Sequence, residues 1–337
     1  MLKNNDFYDV THLLTYKRLF NIAMGNRTAG KSFSCKRFLL RQFLKYGKQF
    51  VFLVRRTTEV GAQTNGVFND VLNICPEFKN TELVVKNDTF FINKETAGFI
   101  VPLSQEGRYK KKSGMFTDVQ YILFDEYIAD TQTEYLKDEY NKIVSFLTTV
   151  SRGKAGEPTR FVPIFFLCNA VSVINPLFNA LKLIPKMGVV KGFNYVCECF
   201  VNEKVAQLYQ QTQLGAALNA TSYGDMALKN AFLLDDYSFV KNEPLNDYIL
   251  KALLKINGVI YGYWSHKYTN NGYISQQYNT FCPFKYVFNI NDVSENWLYI
   301  KSTTKTIKGQ LLTLFTNNLL YFETLKIKND IIEVLQF

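Results

Sequence analysis

The chain has 337 residues, of which 47% are hydrophobic and 15% aromatic. This composition is typical of a globular protein with enough residues for two separate cores, and it excludes an intrinsically disordered chain. Lys and Arg outnumber Asp and Glu by 39 to 29, and the resulting net charge of +10 favours an anionic partner such as nucleic acid.

Three other classes of protein are disfavoured. No apolar stretch reaches the roughly 18 residues of a membrane-spanning helix, so no membrane partner is expected. The amino-terminal residues lack the apolar region of a secretory signal, and the six cysteines lack the CxxC spacing of many zinc sites. We therefore expect reduced core thiols in a cytoplasmic protein.

A glycine-rich motif stands near the amino terminus. Residues 25–32 match the phosphate-binding pattern GxxxxGK[ST], with a short apolar run before them and a helical pattern at 33–47 after them. A strand, a turn and a helix N-terminus in this order aim backbone N–H groups at one anion. Lys31 is expected to contact the outer phosphates, and the Ser32 hydroxyl to ligate Mg²⁺. The residues predicted to bind the nucleotide are Gly25, Asn26, Arg27, Thr28, Ala29, Gly30, Lys31, Ser32 and Phe33.

Strand and helix patterns alternate through the next 120 residues. The helix predicted at 133–150 begins with a capping box at 131–134 and ends at Gly153. This alternation predicts an α/β fold with a mostly parallel sheet covered by helices. The predicted strands lie at 49–54, 83–93, 98–103, 119–124 and 162–168, and a further helix lies at 68–75.

A cationic segment bounded by Gly107 and Gly114 precedes the strand at 119–124. We predict an exposed loop that contacts DNA phosphates without reading their sequence. Its basic residues are Arg108, Lys110, Lys111 and Lys112. A second candidate is the basic face of the first helix, which consists of Arg37, Arg41, Lys45 and Lys48. The loop is favoured, and a solvated surface without a ligand is the alternative for both.

Two adjacent carboxylates, Asp125 and Glu126, follow the strand at 119–124. Because the carboxyl ends of parallel strands share one edge of a sheet, this pair is expected beside the phosphate loop. Asp125 is expected in the Mg²⁺ shell, and Glu126 as the general base that polarises the attacking water. The pair predicts a P-loop NTPase of the additional-strand, catalytic-glutamate type. A nucleotide kinase needs no such glutamate, since its nucleophile is a second substrate.

Three further polar residues are candidates for catalysis. Asn169, at the end of the strand at 162–168, is expected to face the γ-phosphate or the lytic water, with a turn-starting role as the alternative. Arg152, just past the helix at 133–150, is the candidate for an arginine that stabilises transition-state charge in a neighbouring subunit. Arg160 is its rival, and Arg27 is a candidate for the same role within its own site.

The pattern weakens over 202–231, which we interpret as a linker with short helices. Residues 1–201 are thus predicted to form a P-loop ATPase motor domain, and residues 232–337 a smaller α+β domain.

The second domain contains a predicted hairpin, 258–268 with 273–279, and a helix at 306–322. A two-metal nuclease needs several converging carboxylates, yet the sequence has no Asp or Glu from 248 to 291. We therefore predict no nuclease activity, and a role in docking to nucleic acid or protein.

Several motifs occur in a characteristic order, at 25–32, 55–56, 83–86, 124–126 and 169–176, with a weaker one at 223–226. Together they resemble the genome-packaging (encapsidation) ATPases of small tailed phages with protein-primed linear DNA. The resemblance implies a homomeric ring, usually pentameric, at the portal vertex of an empty capsid in the host cytoplasm. Such rings use ATP to thread double-stranded DNA inward, and some members also dock on a structural packaging RNA.

The resemblance also carries residue roles and a fold. Lys31, Ser32, Asp125 and Glu126 match the nucleotide-site positions of the family, and Arg152 matches its trans-acting arginine. The second domain is implied to be RNase H-like, with its nuclease acids lost.

We interpret the chain as an ATP hydrolase that translocates double-stranded DNA into a preformed capsid, with ATP and Mg²⁺ as cofactors. A DNA helicase or plasmid-type translocase is the main alternative, and it would unwind DNA without capsids. An ATP-dependent nucleic-acid-binding clamp is another, and it would show negligible DNA-stimulated hydrolysis. Phe7, Tyr8 and Tyr16 are candidates for contact with the base.

Overall fold

The computed structural model describes residues 7–61, 66–129, 134–153, 157–173, 175–218, 221–230, 237, 239–256, 258–300 and 306–335. The chain divides into two compact units, Met1–Leu234 and Asp235–Phe337, each with its own sheet and buried core. Over the described ranges, no helix has the length and apolar character needed to cross a bilayer.

The first unit is built on a sheet that has nine strands in its described residues. They are β1 (Phe20–Gly25), β2 (Gln49–Val54), β3 (Leu83–Lys86), β4 (Thr89–Ile92), β5 (Glu95–Pro102), β6 (Val119–Phe124), β7 (Ile164–Cys168), β8 (Gly188–Lys191) and β9 (Tyr195–Phe200). Their order across the sheet is β3-β4-β5-β2-β6-β7-β1-β9-β8. The six central strands in this order, β5-β2-β6-β7-β1-β9, are parallel to one another. The predicted α/β fold with a mostly parallel sheet is confirmed.

Helices cover both faces of this sheet, because its central strands carry mostly apolar residues on both faces. Phe166 of β7 packs in one core cluster with Phe146, and its neighbour Phe165 packs in the other with Leu39. The described helices are α1 (Lys31–Tyr46), α2 (Asn69–Ile74), α3 (Glu106–Lys110), α4 (Glu139–Val150), α5 (Pro176–Leu181), α6 (Glu203–Gln210), α7 (Gln213–Leu218) and α8 (Ser222–Lys229).

Strand β7 lies between β1, which leads into the phosphate loop, and β6, which leads into Asp125. Phe166 of β7 is in register with Ile22 of β1 and with Phe124 of β6. β6 ends at Phe124, opposite Phe166, and β7 and β1 end two and three residues further along, so the three carboxyl ends bring the polar residues that follow them to one edge of the sheet.

The segment predicted as a linker, 202–231, belongs to the first unit in its described residues. Helix α8 and the residue that precedes α6 contact the phosphate loop: the Arg27 N–H donates to the Ala227 carbonyl at 2.9 Å, and the Asn202 N–H to Asn26 Oδ1 at 2.8 Å. Met226 is buried in the main core. A few apolar anchors hold this segment despite its polar composition.

Two predicted elements have different bounds. The segment 83–93 is a hairpin and not one strand, because Asn87 and Asp88 both adopt positive φ, 51° and 58°, and reverse the chain in a two-residue turn. Helix α4 begins at Glu139, where Asp138 has φ 55°, and not at residue 133. The capping box predicted at 131–134 lies outside the described residues except for Glu134.

The second unit has a sheet of six strands in its described residues, in the order β14-β13-β10-β11-β12-β15. They are β10 (Tyr248–Ile256), β11 (Val259–His266), β12 (Gly272–Ser275), β13 (Lys285–Val287), β14 (Leu298–Tyr299) and β15 (Leu320–Phe322). The first three form an antiparallel meander, and β13 and β14 extend it in parallel with β10. The predicted hairpin is confirmed as β11 and β12.

Helices α9 (Ile307–Thr316) and α10 (Leu325–Leu335) contribute Leu311 and Ile331 to the core of the second unit. The helix predicted to run to residue 322 ends at Thr316, because Asn318 adopts φ 60° and the chain turns into β15. Strands β13, β14 and β15, which have only two or three residues each, were not predicted, and neither was β10, which has nine.

Candidate active site

The loop between β1 and α1 has the backbone of a phosphate-binding turn. Gly30 has φ 92°, and a Cβ atom at this position would lie 2.8 Å from Cβ of Phe7. Thr28 also has a positive φ, 62°, which β-branched residues rarely adopt. Strained backbone of this kind concentrates at functional sites, and such alternation of handedness turns successive N–H groups toward one anion.

The Lys31 side chain is buried against the loop that carries it. Its Nζ donates to the carbonyl oxygens of Gly25 and Asn26, at 2.7 and 2.9 Å, and to Asn169 Oδ1 at 3.1 Å. Burial lowers the pKa of Lys31 to about 8. Its ammonium is therefore a poorly solvated charge, which the oxygens of an anion would stabilise.

Ser32 and Asp125 form the second contact between the loop and the neighbouring strands. Ser32 Oγ donates to Asp125 Oδ1 at 2.8 Å. Burial raises the pKa of Asp125, and the hydrogen bond from Ser32 opposes this shift. A partly buried carboxylate beside a hydroxyl suits Mg²⁺, which takes one or two protein ligands and fills its octahedron with phosphate oxygens and water. These two residues fit the predicted metal.

A metal ion held entirely by protein side chains needs several ligands close together. Over the described ranges, no group of three or more His, Cys, Asp or Glu side chains is placed to hold an ion.

Glu126 is exposed and lies beside this contact. It has φ 50°, and its N–H donates to Asp125 Oδ1 at 3.0 Å. A left-handed conformation is uncommon for glutamate, and here, two residues past the end of β6, it turns the chain out of the extended conformation. The two carboxylates thus have different surroundings: Asp125 is partly buried and hydrogen-bonded to Ser32, and Glu126 is open to solvent.

A cleft of about 400 Å³ lies over these groups. Gly25 and Asn26 are not among its lining residues: a Cβ at Gly25 would lie 2.5 Å from the Phe200 ring, and the Asn26 side chain is buried. The predicted residues that line it are Arg27, Thr28, Ala29, Gly30, Lys31, Ser32, Phe33, Asp125, Glu126 and Asn169.

Of the candidate base contacts, only Phe7 lines the cleft. The Tyr8 ring stacks instead on Phe200, with centroids 4.0 Å apart, and the Tyr16 ring lies 4.5 Å from Lys191 Nζ. The cleft also includes Ile74, which sequence reasoning missed. No local motif distinguishes Ile74, because α2 brings it there through tertiary packing.

Arg55, at the end of β2, holds the chain that follows Glu126. Its guanidinium donates to the Tyr127 carbonyl at 2.5 Å and to Glu139 Oε2 at 3.0 Å. Arg55 and Glu139 are both buried, and Glu139 is the first residue of α4. This ion pair therefore ties the catalytic edge of the sheet to the start of α4. The sequence carried little indication of this ion pair, since it showed only an arginine after an apolar strand.

Arg160 uses its guanidinium inside its own subunit. It donates to four backbone carbonyl oxygens, those of Phe116, Val119, Val150 and Arg152, at 2.6–3.0 Å. Arg160 therefore links the end of α4 to the start of β6, and its donors are used within its own chain rather than toward a neighbouring subunit.

Arg152 is exposed, and its Nη1 donates to Ser113 Oγ at 2.9 Å. The Arg160 guanidinium donates both to the Arg152 carbonyl and to the Val119 carbonyl, so Arg152 lies near the amino end of β6. Asp125, in contrast, follows the carboxyl end of the same strand. At about 3.3 Å per residue, these ends are separated by roughly 20 Å. Arg152 is thus too far from the cleft of its own chain to contact a nucleotide there.

The cationic segment is helical and not the loop that its glycines predicted. Residues 106–110 form α3, and a 3₁₀ turn follows at 113–116. Tyr109 is buried in the core of the first unit, and this contact anchors the helical turn while its polar neighbours remain at the surface. The predicted DNA-binding residues Arg108, Lys110, Lys111 and Lys112 are all exposed.

The rival basic face on α1 is partly neutralised. Arg37 and Arg41 both form ion pairs with Glu77, at 2.6 and 2.8 Å. Lys45 Nζ lies 5.0 Å from the centroid of the neighbouring Tyr46 ring. The segment at 108–112 therefore offers the denser exposed positive charge.

Known proteins show the same combination of fold and motifs. Residues 2–336 match the family model of the podovirus DNA encapsidation protein (Gp16). The chain is 30% identical over 329 residues to the DNA packaging protein of Bacillus phage phi29, which covers 96% of this chain and 95% of that protein.

Two solved structures are similar. A chain of the bacteriophage phi29 viral genome packaging motor assembly superposes with a TM-score of 0.75 at 27% identity, covering 98% of both chains. The N-terminal domain of the phi29 DNA packaging ATPase superposes with a TM-score of 0.50 at 32% identity, covering 58% of this chain and 96% of that one. From the sheet order, the phosphate loop and these matches, the chain belongs to the podovirus DNA encapsidation protein family.

Proposed function

We propose that the cleft binds Mg²⁺-ATP and hydrolyses it to drive double-stranded DNA into a preformed capsid. One observation carries this proposal: Lys31 contacts Asn169, Ser32 contacts Asp125, and all four side chains line one cleft over the phosphate loop. Three separate strands deliver these groups, which is the arrangement needed to surround a triphosphate. The packaging function is shared by the family.

The roles follow from the contacts. The Lys31 ammonium exchanges its carbonyl partners for the β- and γ-phosphate oxygens. Ser32 and Asp125 would hold Mg²⁺, which would supply positive charge to the phosphates when bound. Glu126, the exposed carboxylate of the cleft, accepts a proton from the attacking water. Asn169, which already contacts Lys31, orients the water or the γ-phosphate.

Arg152 is proposed to complete the cleft of a neighbouring subunit. The separation of Arg152 from its own cleft and the internal use of Arg160 both favour this assignment. An arginine that acts in trans requires neighbours in contact, so we propose a ring of identical chains at the capsid portal. The ring is proposed to be pentameric and to dock on a structural RNA where the capsid carries one, as the family resemblance implies.

The exposed cations at 108–112 are proposed to contact DNA phosphates. Ser113, directly after them, accepts the hydrogen bond from Arg152. A change in the position of Arg152 during hydrolysis would therefore be passed to the DNA-contacting segment through one hydrogen bond.

The second unit is proposed to be RNase H-like and to dock on nucleic acid or the portal without cutting DNA. Three consecutive antiparallel strands extended by two parallel strands support the fold. The sequence from 248 to 291, which includes β10, β11, β12 and β13, supplies no Asp or Glu. A two-metal centre needs such strand-borne acids.

The function is tested by mixing the purified chain with procapsids, linear duplex DNA and ATP. DNA that becomes resistant to nuclease, together with hydrolysis stimulated by duplex DNA, is the expected result. DNA unwinding without capsids would identify a helicase instead. A rate of ATP hydrolysis that duplex DNA does not stimulate would identify an ATP-dependent clamp.

Exchanging Lys111 and Lys112 for glutamine tests the DNA contact, measured as the affinity for linear duplex DNA over a series of salt concentrations. The slope of log affinity against log salt concentration should fall in magnitude by about 2, since each phosphate contact contributes roughly 0.9. Exchanging Lys79 and Lys94 for glutamine, two exposed lysines outside both candidate DNA surfaces, changes the charge equally and serves as the control. Equal loss in both double variants would leave only a general electrostatic attraction.

The lowered pKa of Lys31 predicts a pH-dependent affinity. With a pKa of about 8 in the free protein, Lys31 is mostly neutral at pH 9, whereas the bound triphosphate requires its charged form. Affinity for a non-hydrolysable ATP analogue should therefore be about tenfold weaker at pH 9 than at pH 7, with proton uptake on binding. Calorimetry in buffers of different ionisation enthalpy measures both quantities.

The control for this titration is Lys31→Arg, whose guanidinium stays charged and should remove the pH dependence. Wild-type affinity that is constant from pH 7 to 9 would contradict the assignment.

A further inference from the structure

We propose that a cavity in the second unit binds a single nucleotide, with its phosphate at Lys251 and its base on the ring of Phe284. The cavity has a volume of about 380 Å³ and is lined by residues of β10, β11, β13 and the start of α9. It belongs to the unit that lacks the phosphate loop, so it is a second site in addition to the proposed ATP cleft. The inference deepens the docking role proposed for the second unit, on which it rests, and names a ligand for it.

The charge of the cavity wall favours an anion. Lys251 is exposed, and none of the described residues that line the cavity is an Asp or Glu. The sequence from 248 to 291, which supplies all of the described strand residues in the wall, contains four lysines and no acidic residue. The absence of carboxylates that argues against a two-metal nuclease therefore leaves a cavity whose charge attracts an anion instead.

Strand β10 presents Lys251 through a β-bulge. Leu250 is in register with Trp264 of β11. Ala252 is in register with the neighbouring residue, Tyr263, so Lys251 is the extra residue between two paired ones. Successive residues of a regular strand face opposite sides of the sheet, whereas Lys251 and Ala252 both line the cavity. Because bulges often redirect a side chain at a functional site, this bulge accounts for a lysine at the wall.

Three further side chains offer polar atoms to a ligand. Tyr263 is only 7% exposed, yet its hydroxyl has no hydrogen-bond partner among the described residues. Burial raises the pKa of Tyr263, so the hydroxyl keeps its proton and can donate. The side chains of Ser265 and Gln310 also line the cavity, and over the described ranges neither of them is hydrogen-bonded. A buried polar group without a partner costs free energy, and a hydrogen bond to a ligand oxygen would remove this cost.

The start of α9 adds a second source of positive potential. Ile307 and Gln310, both in the first turn of this helix, line the cavity. The side chain of Thr306 makes no capping hydrogen bond to the helix. The first N–H groups of a helix have no partner within the helix, and they carry the positive end of its dipole. An anion at this wall would therefore contact both Lys251 and the helix terminus.

Two aromatic rings form an apolar part of the wall. The Leu253 N–H donates to the Phe284 carbonyl at 2.8 Å, so Phe284 continues the pairing of β13 with β10. Phe284 and Tyr286 are two residues apart and both line the cavity, as expected for one face of a strand. Phe284 is 57% exposed, and a base stacked on its ring would remove apolar area from water.

These groups match the two parts of a nucleotide. A phosphate alone would use Lys251 and the hydroxyl donors but would leave the rings uncovered. A carboxylate of an acidic peptide would do the same, because it carries no flat ring. A nucleoside monophosphate has both an anion and an aromatic base, and the cavity volume lies within the range of small-molecule sites. Two sources supply this unit, a free nucleotide and an unpaired nucleotide of a nucleic-acid strand.

Equilibrium dialysis of the full chain tests the site with three probes: AMP, adenosine and inorganic phosphate. The Mg²⁺ complex of the β,γ-imido analogue of ATP is present at saturation to fill the cleft of the first unit. Lys251→Gln should weaken AMP and phosphate by about 10- to 150-fold, the range of hydrogen bonds to a charged group, and leave adenosine unchanged. Phe284→Ala should weaken AMP and adenosine by about 5- to 150-fold, the range of one aromatic–base stack, and leave phosphate unchanged.

Tyr263→Phe removes the buried hydroxyl and keeps the ring. It should weaken AMP and phosphate by about 2- to 12-fold, the range of one neutral hydrogen bond. Lys267→Gln and Phe281→Ala are the matched controls, since both residues are exposed, belong to the second unit and do not line the cavity. Both control variants should bind AMP with wild-type affinity.

A short single-stranded oligonucleotide and its duplex distinguish the two sources. If the nucleotide belongs to a strand, the single strand should displace AMP and lose affinity in Phe284→Ala, whereas the duplex, whose bases are stacked, should not displace AMP. If the nucleotide is free, AMP should bind and neither oligonucleotide should displace it. Either result supports the site.

AMP that does not bind, or that binds equally well to Lys251→Gln, Phe284→Ala and the wild type, would overturn the site. A loss in Lys251→Gln alone would leave an anion site and overturn its assignment to a nucleotide. The ATP analogue separates these outcomes from failure of the proposed function. If the analogue binds and AMP does not, only the cavity assignment fails, whereas an analogue that does not bind contradicts the proposed ATP site.

Discussion

Replacing Glu126 with glutamine is expected to slow ATP hydrolysis by about 10²- to 10⁴-fold while leaving ATP affinity unchanged, because the amide cannot accept a proton from water. Glu126 is exposed, whereas Lys31 and the Ser32–Asp125 pair supply the proposed contacts to phosphate and metal. Single-turnover hydrolysis and equilibrium binding of a fluorescent ATP analogue measure the two properties separately.

The matched control is Glu95→Gln, at an exposed glutamate that begins β5 and does not line the cleft. It should hydrolyse ATP at the wild-type rate. Normal turnover in Glu126→Gln would remove Glu126 from the chemistry, and loss of binding in the same variant would show that it holds the nucleotide or metal instead.

Arg152→Ala should reduce steady-state hydrolysis by about 10³- to 10⁵-fold, the range observed for arginines that stabilise phosphoryl transfer. Because the proposed role is in trans, this variant and Glu126→Gln should complement each other. A cleft from the Arg152→Ala chain has its general base, and a neighbouring Glu126→Gln chain supplies the arginine. In a randomly mixed equimolar assembly, about one site in four then has both groups.

Arg160→Ala controls for damage to the fold. It removes the donor of four backbone carbonyls, so it should lower the stability of the first unit by about 3 kcal/mol, measured by urea unfolding. Arg152→Ala, which loses one exposed hydrogen bond, should unfold near the wild-type midpoint. An absence of recovered hydrolysis in chains shown to co-assemble would place Arg152 outside the catalytic site.

The parts of the site that could be predicted are those whose chemistry depends on neighbours in sequence. The phosphate loop requires Gly30 and Lys31 at fixed spacing, and Asp125 must follow an apolar strand. Parallel pairing then brings the ends of separate strands to one edge of the sheet. Asn169 was therefore expected beside the phosphate site, and it contacts Lys31 there.

The remaining features depend on contacts between distant residues. Nothing local distinguishes Arg152 from Arg160, and only the carbonyls around Arg160 separate a structural role from an exposed one. The turn at Asn87 and Asp88 carried a local signal, since both residue types tolerate positive φ, but the surrounding apolar residues masked it. Ile74 reaches the cleft through packing that no pattern in α2 announces.

The placement of the cleft and of Arg152 at opposite ends of β6 determines which surfaces of two chains can meet. With Arg152 acting in trans as proposed above, the interface of the proposed ring is heterologous, because the donor face of one subunit contacts the unlike acceptor face of the next. In such an assembly an open row leaves one terminal cleft without its arginine, and closure into a ring gives every subunit a full set of catalytic groups. Specific activity should therefore rise with assembly and reach its maximum only in the closed oligomer.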